Sequence, residues 1–279
     1  MQRREFVLAA GVALGAGSIP PRARSATNKL ARIGLELYSV RDAMRRDPEA
    51  TLAAVRAIGY TDVELLWSFD NFGRTTQQVR ASLEHEGLRA PSAHIDPSLL
   101  TKDWARSLDT AKLLGHDYLI VPSLPSETAR SLDRWREWAD RFNKAGEAAR
   151  RAGIWLAFHN EPEHMKPIEG TVPYDLFLEQ TDPALVRLQL DVGNMAMGGG
   201  EPMRYLQTYA DRYWSFHIKD IVADRTRDTE LGAGVLNLRA MLAAVPDIGG
   251  KPCYVEQEAA RDPLASASSN FGYLKNLEF

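Results

Sequence analysis

Between Ala31 and the C-terminus, short apolar or β-branched runs alternate with longer amphipathic segments, and the alternation repeats eight times. The runs predicted as strands are 33–39, 62–66, 90–94, 118–122, 154–160, 186–191, 213–219 and 253–258. The helices that follow them are predicted at 48–58, 76–85, 102–114, 131–152, 174–181, 202–209, 238–244 and 264–274. Such alternation is the pattern of a (β/α)8 barrel. The sequence therefore predicts an α/β chain with a single (β/α)8 TIM barrel over residues 27–279.

An open, doubly wound sheet is the competing architecture for alternating strands and helices. Such sheets usually have fewer repeats and carry a phosphate-binding glycine turn after their first strand. The run Leu35-Glu36-Leu37-Tyr38 is not followed by such a turn. The only cysteine, Cys253, excludes an internal disulfide and a thiolate metal cluster. The predicted barrel must therefore be stabilised by packing, without disulfides or a thiolate metal cluster.

The first 26 residues follow a different pattern from the rest. Arg3 and Arg4 precede a glycine-rich apolar run at 6–19, and small residues, Ser25 and Ala26, end the segment. The pattern predicts a twin-arginine export signal over residues 1–26 and an exported, periplasmic protein. A run of about 14 apolar residues is shorter than the ~20 that span a bilayer, so no permanent membrane span is expected.

Net charge bears on the partners of the mature protein. The whole chain carries a formal net charge of −3. Removal of the predicted signal takes away four arginines and one glutamate, which leaves about −6 on the barrel. Because proteins bind nucleic acids mainly through positively charged side chains, no nucleic-acid partner is expected for this acidic chain.

Ionisable side chains accumulate where the predicted strands end, which is where (β/α)8 barrels carry their chemistry. They are Glu36, Glu64, His94, His159, Glu161, His164, Asp191, His217, Lys219, Asp220 and Glu256. A buried charge is costly unless a partner compensates it. Several such groups at one mouth therefore point to a cation or an ionised substrate, and a metal ion is the simplest common partner.

Three of these strand ends are the most informative. Asp191 closes a buried strand, although an Asp shortly before a Gly also caps turns. His217 and Lys219 alternate on one strand, so both can face the mouth. Glu256 and Glu258 share a face in the same way and repel each other unless a cation lies between them.

At this point the residues carry a family resemblance. The motifs are Glu36-Leu37-Tyr38-Ser39-Val40-Arg41, His159-Asn160, Leu190-Asp191, His217-Ile218-Lys219-Asp220 and Tyr254-Val255-Glu256-Gln257. In this order they resemble the sugar phosphate isomerase/epimerase family of xylose-isomerase-like TIM barrels, over essentially all of residues 31–279. The resemblance implies one divalent ion (Mn, Zn, Fe, Co or Mg) held by four side chains from strands five to eight. Asp191, His217 and Glu256 match three of those places.

The fourth place departs from the family pattern. Many relatives read His-Asn-His-x-x-Glu-Phe at strand five, whereas this chain has Glu161 at the second His position and His164 at the Glu position. We interpret this as an exchange of roles, with His164 the fourth metal ligand and Glu161 an acid/base. Imidazole and carboxylate both suit Mn²⁺, Zn²⁺ or Fe²⁺. The opposite assignment stays open, because His159 and Glu161 share one face of an extended strand.

The resemblance implies a metal-dependent sugar or keto-sugar isomerase or epimerase that works through a metal-stabilised enediolate. Glu161, His159 and His94 are the candidates for moving the proton, and Lys219 is a candidate for offsetting negative charge on the substrate. The alternative is a metal-dependent lyase or hydratase of a 3-keto-glycoside or cyclitol, which uses the same enolate chemistry. A non-catalytic exported sugar-binding protein fits less well, because such proteins usually close two lobes around a hinge.

Three aromatic side chains follow the second predicted strand. Trp67, Phe69 and Phe72 could present apolar faces to a sugar ring or pack in the core. The sequence leaves both interpretations open.

Overall fold

The computed structural model describes residues 28–279, so the predicted export signal lies outside the described residues. Eight parallel strands close into a barrel in which sequence neighbours are spatial neighbours, and the last strand pairs with the first. They are β1 (Gly34–Glu36), β2 (Asp62–Leu66), β3 (Arg89–His94), β4 (Tyr118–Val121), β5 (Trp155–His159), β6 (Val186–Asp191), β7 (Tyr213–Ile218) and β8 (Cys253–Val255). The predicted (β/α)8 barrel is confirmed.

A helix follows each strand and packs outside the barrel. These helices are α1 (Pro48–Ile58), α2 (Thr76–Glu86), α3 (Trp104–Leu114), α4 (Leu132–Ala152), α5 (Pro173–Gln180), α6 (Pro202–Thr208), α7 (Leu238–Ala243) and α8 (Pro263–Asn276). Among residues 28–279, no helix combines the length and the apolar character needed to cross a membrane.

Local sequence explains where a typical helix begins and ends. The Thr75 hydroxyl accepts the N–H of Gln78, and the Gln78 side chain accepts the N–H of Thr75 in return. This capping box satisfies two N–H groups at the start of α2. Gly87 ends the helix in a left-handed conformation, which glycine adopts without strain.

Short elements at the carboxyl ends of the strands differ from the sequence prediction. β1 ends at Glu36 rather than at residue 39, because the Glu36 carboxylate accepts the N–H of Tyr38 and turns the chain into a 3₁₀ turn. Three further short helices, Arg41–Arg46, Asp70–Gly73 and Val192–Met197, follow β1, β2 and β6. A two-stranded hairpin, Asp220–Ile221 with Asp228–Thr229, follows β7.

The interior of the barrel changes character along its axis. Near the carboxyl ends of the strands, a hydrogen-bonded network of buried polar side chains fills it: Glu64, Ser92, Gln189, Ser215 and Tyr254. Tyr118, Ile120 and Ala157 form a separate apolar cluster against Trp155 and Trp214. The polar half of the interior forms the floor beneath the residues singled out from the sequence.

Candidate active site

A cavity of about 430 Å³ opens at the carboxyl ends of the strands. Its wall includes His94 from β3, His159 and Glu161 from the end of β5, and Glu256 and Glu258 from the segment after β8. This is the end of the barrel at which TIM-barrel chemistry occurs. The cavity therefore coincides with the site that the sequence predicts.

Four buried side chains at the floor of this cavity offer one ligand atom each within 4.8 Å of one another: His159, Asp191, His217 and Glu256. We call them the ligand group. The strand register explains why they meet, because Asp191 pairs directly with His217 and His159 pairs with Gln189, two residues before Asp191. Residues two apart on a strand face the same side, so all these side chains point to the barrel axis.

Two members of the ligand group have buried polar atoms that make no hydrogen bond. Both ring nitrogens of His159 are buried without a hydrogen-bond partner, and Oδ2 of Asp191 makes no hydrogen bond in acceptable geometry, although the Lys219 ammonium lies 3.0 Å from it. His159 Nε2 lies 3.7 Å from Asp191 Oδ2, which in turn lies 3.8 Å from Nδ1 of His217. Buried polar atoms are nearly always satisfied, so their convergence indicates a missing partner. The donor set of two imidazoles and two carboxylates suits a divalent transition metal, and the group could hold one such ion.

Hydrogen bonds to the backbone hold Asp191 so that its second oxygen, Oδ2, faces the ligand group. Its backbone N–H donates to Asn160 Oδ1, and the Asn160 side chain donates to the Asp191 carbonyl, both at 3.0 Å. Oδ1 accepts the N–H of Asn194 at 2.7 Å and thereby caps the helix Val192–Met197. The carboxylate therefore has the capping role and also presents Oδ2 to the ligand group.

His217 bridges two carboxylates. Its Nδ1 lies 2.8 Å from Glu256 Oε2, and its Nε2 lies 2.6 Å from Glu64 Oε2. Burial lowers the pKa of His217, but Glu256 and Glu64 outweigh burial and raise it to about 10. A carboxylate behind a metal-binding imidazole fixes the orientation of the ring, and Glu64 occupies that position here.

A second group of four, Glu36, Glu64, His94 and His217, meets the same spacing deeper in the barrel. Glu64 is already satisfied there, because it accepts hydrogen bonds from Ser92, Gln189 and His217. Burial and the nearby Glu64 raise the pKa of Glu36 well above its ordinary value. Glu36 Oε2 has no hydrogen-bond partner either, but Glu64 and His94 are already hydrogen-bonded, whereas neither ring nitrogen of His159 is, so the ligand group fits an ion better than this deeper set.

The structure does not bring His164 to the ligand group. Pro162 begins a 3₁₀ turn that carries His164 outward, where its ring packs against Trp135 and Phe158 at centroid distances of 5.1 and 5.2 Å. Its Nδ1 accepts the N–H of Glu161 at 3.0 Å. Burial lowers the pKa of His164 to about 3, which fits a neutral ring in an aromatic cluster. His159 stands where we expected His164.

Glu161 lies on the cavity wall and not in the ligand group. Asn194 Nδ2 donates to its Oε2 at 3.0 Å, and its Oε1 lies 3.8 Å from His159 Nδ1. Burial raises the pKa of Glu161 well above its ordinary value. A carboxyl group with a raised pKa beside an open cavity can exchange protons near neutral pH.

The other predicted site residues occupy distinct places. His94 lines the cavity, and its Nε2 lies 2.9 Å from Gln189 Oε1 and 3.2 Å from Glu64 Oε2. Lys219 is fully buried beside Asp191 and Glu256, so its ammonium pairs with the protein's own carboxylates. Asp220 points away from the cavity and accepts backbone N–H groups of the loop at Gly232–Leu236.

The three aromatic residues after β2 separate into different roles. Phe69 lines the cavity and meets Tyr38 edge to face at 5.7 Å. Trp67 packs against His116, and Phe72 lines an apolar crevice with Leu37. Only Phe69 of the three is placed to contact a substrate in this cavity.

Sequence reasoning missed the residues that hold the site in place. Gln189 donates to both oxygens of Glu64, and Asn160 and Asn194 fix Asp191 and Glu161. A signal for Gln189 was present, because it stands two residues before Asp191 on the same strand face. The contacts of the two asparagines depend on loop geometry, which period-two alternation does not encode.

Comparison with curated proteins returns inosose dehydratases. The protein from Bacillus anthracis (strain CDC 684 / NRRL 3495) is 27% identical over 186 residues, which covers 58% of this chain and 61% of the relative. The inosose dehydratase of Bacillus thuringiensis subsp. konkukian (strain 97-27) is likewise 27% identical, with the same coverage of both chains. The chain thus spans less than two thirds of the length of the curated relatives it matches.

Comparison with solved structures returns barrels of the same kind. A sugar phosphate isomerase/epimerase from Parabacteroides distasonis ATCC 8503 superposes with a TM-score of 0.74 at 27% identity, covering 92% of this chain and 98% of the other. The IOLI protein, solved with a bound zinc atom, superposes with a TM-score of 0.69 at 14% identity, covering 89% and 99%, and shows the shared fold alone. A family model described as a xylose isomerase-like TIM barrel matches residues 52–277.

Proposed function

We propose that this chain, which belongs to the xylose isomerase-like TIM barrel family, is a metal-dependent isomerase or epimerase of an uncharged sugar or keto-sugar. One observation carries the proposal. The ring nitrogens of His159, which have no hydrogen-bond partner, converge with Asp191, His217 and Glu256 at the floor of a cavity whose wall carries Glu161. Ion-binding groups and a proton-transfer group thus face the same space, as removal of a proton beside a carbonyl requires.

His159, Asp191, His217 and Glu256 would hold the ion. When bound, a divalent ion supplies Lewis acidity, which polarises a carbonyl and favours the enediolate. Glu161 then takes the proton from the carbon beside the carbonyl and returns it to the neighbouring carbon, or to the other face of the same carbon. Asn194 keeps the carboxylate of Glu161 in place through its hydrogen bond. Positioned acid/base groups of this kind contribute roughly 10²–10⁴-fold to rate.

His94 is the second proton-handling group on the cavity wall. Gln189 and Glu64 hold the ring through its Nε2–H, which leaves Nδ1 to accept from a substrate hydroxyl, or to donate to it when the ring is protonated. Phe69 offers an apolar face beside the cavity, on which the C–H side of a sugar ring can rest.

The charge of the cavity favours an uncharged substrate. Within the described part of the chain, the lining residues include four carboxylates and no arginine or lysine: Asp96, Glu161, Glu256 and Glu258. Arg41 contacts two lining residues, but its guanidinium donates to the backbone carbonyls of Tyr38 and Glu258. A phosphate group would meet like charge in this cavity, so we propose a neutral sugar rather than a sugar phosphate.

A dehydratase acting on a keto-cyclitol is the second candidate. It is favoured by the similarity to inosose dehydratases. Proton removal by Glu161 would be the shared first step, after which a β-hydroxyl leaves as water instead of the proton returning. His94 would protonate that hydroxyl, since it lies on the same cavity wall.

The test is an assay of the metal-loaded protein in deuterated water against uncharged aldoses, ketoses, an inosose, 3-keto-glycosides and the matching sugar phosphates. Deuterium in a rearranged product of unchanged formula supports the isomerase or epimerase. Loss of water or of an aglycone supports the second candidate. If the metal-loaded protein exchanges no carbon-bound hydrogen in any of these compounds, the proposal is refuted. Turnover of the phosphates alone would refute the uncharged-substrate assignment.

A further inference from the structure

We infer that Lys219 is an internal cation that holds the ligand group together without an ion and competes with a divalent ion for it. The inference deepens the proposed function, because it rests on the ligand group being an ion site. Lys219 Nζ is fully buried and lies 3.0 Å from Asp191 Oδ2 and 3.0 Å from Glu256 Oε2. The same Asp191 oxygen lies 3.7 Å from His159 Nε2, and the same Glu256 oxygen lies 2.8 Å from His217 Nδ1. The ammonium and an ion would therefore bind the same two atoms.

Competition follows from the distances. An ion bound to Asp191 Oδ2 and Glu256 Oε2 would lie roughly 2.0–2.2 Å from each oxygen. An ammonium 3.0 Å from the same oxygens is then within a few ångströms of that ion. Two cations at such a separation repel strongly in a buried, weakly screened site. Binding of the ion therefore requires the ammonium to move away from the shared oxygens.

Lys219 has two other hydrogen-bond acceptors, which would remain available if an ion bound Asp191 Oδ2 and Glu256 Oε2. Its Nζ donates to Glu258 Oε1 at 2.7 Å and to Asn194 Oδ1 at 3.0 Å. Glu258 lines the substrate cavity, and its side chain is 38% exposed. The displaced ammonium thus stays paired and moves toward the substrate, where it can offset negative charge on a substrate oxygen.

The backbone around Lys219 is shaped to fit its side chain. A Cβ atom at Gly193 would lie 2.6–2.8 Å from Cβ, Cγ and Cδ of Lys219, closer than carbon atoms pack. Gly193 stands two residues after Asp191, in the short helix that Asp191 caps. The absence of a side chain at this glycine is what allows the lysine stem to pass beside the ligand group.

A lysine that only stabilises the fold and a lysine that competes with the ion predict different metal affinities once the lysine is removed. In both cases its removal leaves carboxylates facing each other and destabilises the metal-free protein. Only competition also makes the ion bind more tightly when the lysine is gone. Metal affinity therefore separates the two roles, and it can be read without any substrate.

The experiment is calorimetric titration of Mn²⁺ into the chelator-treated full chain, its Lys219→Met variant and its Lys219→Arg variant. We expect Lys219→Met to bind Mn²⁺ at least about tenfold more tightly than the wild type, since a nearby buried charge is removed. We expect Lys219→Arg to bind it more weakly, because a guanidinium grips carboxylates in bidentate geometry and releases them less readily. Circular dichroism of each variant checks that the barrel is folded.

Each outcome decides the inference. Lys219→Met that is folded but binds Mn²⁺ no more tightly than the wild type overturns it. If Lys219→Met does not fold, the arginine variant decides, and tighter binding by that variant overturns the inference. If Lys219→Met binds Mn²⁺ and the wild type does not, the result supports competition and refutes the metal-dependent function of the wild type. Ion binding that follows the expected order without proton exchange on any sugar would leave the inference standing and refute the proposed function.

Discussion

At the scale of single residues, the clearest contrast is between two buried histidines five positions apart. His159 has no hydrogen-bond partner on either ring nitrogen and faces Asp191, whereas His164 accepts a backbone N–H and packs between aromatic rings. Burial depresses the pKa of both rings, to about 4 and about 3, so each is neutral and able in principle to bind a metal. Their surroundings, rather than their chemical type, distinguish a ligand from a packing residue.

This contrast gives the first prediction. His159→Ala should weaken binding of the divalent ion by more than about 100-fold, since loss even of outer-shell partners costs roughly 10–100-fold. His164→Ala should leave the affinity unchanged and lower the free energy of unfolding by roughly 2–5 kcal/mol, because it opens a cavity among aromatic rings. Calorimetric titration and denaturant unfolding measure the two effects. A reversal, with the ion lost only from the His164 variant, would restore the ligand expected from the sequence.

The second prediction concerns Glu161. Glu161→Gln keeps the hydrogen-bonding shape of the side chain but cannot accept a carbon-bound proton, so turnover should fall roughly 10²–10⁴-fold while the ion stays bound. Glu163→Gln, at an exposed position two residues away, is the matched control and should leave turnover unchanged. Steady-state rates and metal content are measured on both variants. Loss of the ion from Glu161→Gln would instead make Glu161 a ligand.

Much of the ligand group could be predicted from residue types, but the place of His159 in it could not. Asp191, His217 and Glu256 end predicted strands, and the period of two places their side chains at the barrel mouth. Only chemical type supports an exchange of roles between Glu161 and His164. Pro162 starts a 3₁₀ turn between them, and that turn carries His164 into the aromatic cluster. Tertiary packing determines the direction of such a turn, so comparing side-chain types cannot predict where His164 lies.

At the scale of elements, the strands and long helices follow the sequence patterns closely, and the differences lie at the carboxyl ends of the strands. The alternation of β1 continues past Glu36, yet the strand stops because that carboxylate caps the following turn. The strand predicted at 253–258 stops at Val255, and Glu258 pairs with Lys219 from the loop that follows. A side-chain cap in one case and a buried ion pair in the other thus accompany the early ends of these strands at the cavity.

Two glycines in helices give the third prediction. A Cβ at Gly146 in α4 would lie 2.7 Å from the carbonyl oxygen of Leu185, which is backbone and cannot move aside. Gly146→Ala should therefore cost about 1–3 kcal/mol of stability, as overpacked substitutions do. Gly272 in α8 has open space at its Cβ position and a right-handed conformation, so Gly272→Ala should stabilise by about 0.5–1 kcal/mol.

Denaturant unfolding of both glycine variants, with the ion absent, measures the two changes on the same scale. We expect changes of opposite sign in the free energy of unfolding. Helix propensity favours alanine at both positions, but only at Gly146 would the added Cβ collide with backbone. Equal stabilisation by both substitutions would mean that α4 does not pack as closely against the segment before β6 as the structure indicates.

At the scale of the whole molecule, the ligand group joins four neighbouring strands, β5 to β7 and the end of β8, so an ion there crosslinks half of the barrel. The fourth prediction is a thermal shift. At an ion concentration about 100 times the dissociation constant, binding to the folded state alone adds about 2.7 kcal/mol. For a domain of this size that raises the melting temperature by roughly 5–10 °C. Asp191→Asn should melt at the same temperature with and without the ion.

Anomalous diffraction from a crystal grown with Mn²⁺ would show directly whether the ligand group binds an ion. We expect one strong peak between His159, Asp191, His217 and Glu256, with oxygen and nitrogen ligands at roughly 2.0–2.3 Å and Lys219 Nζ withdrawn toward Glu258. A peak at Glu36, Glu64 and His94 instead, a peak that includes His164, or a ligand group still bridged by the lysine in the presence of saturating Mn²⁺ would contradict this expectation.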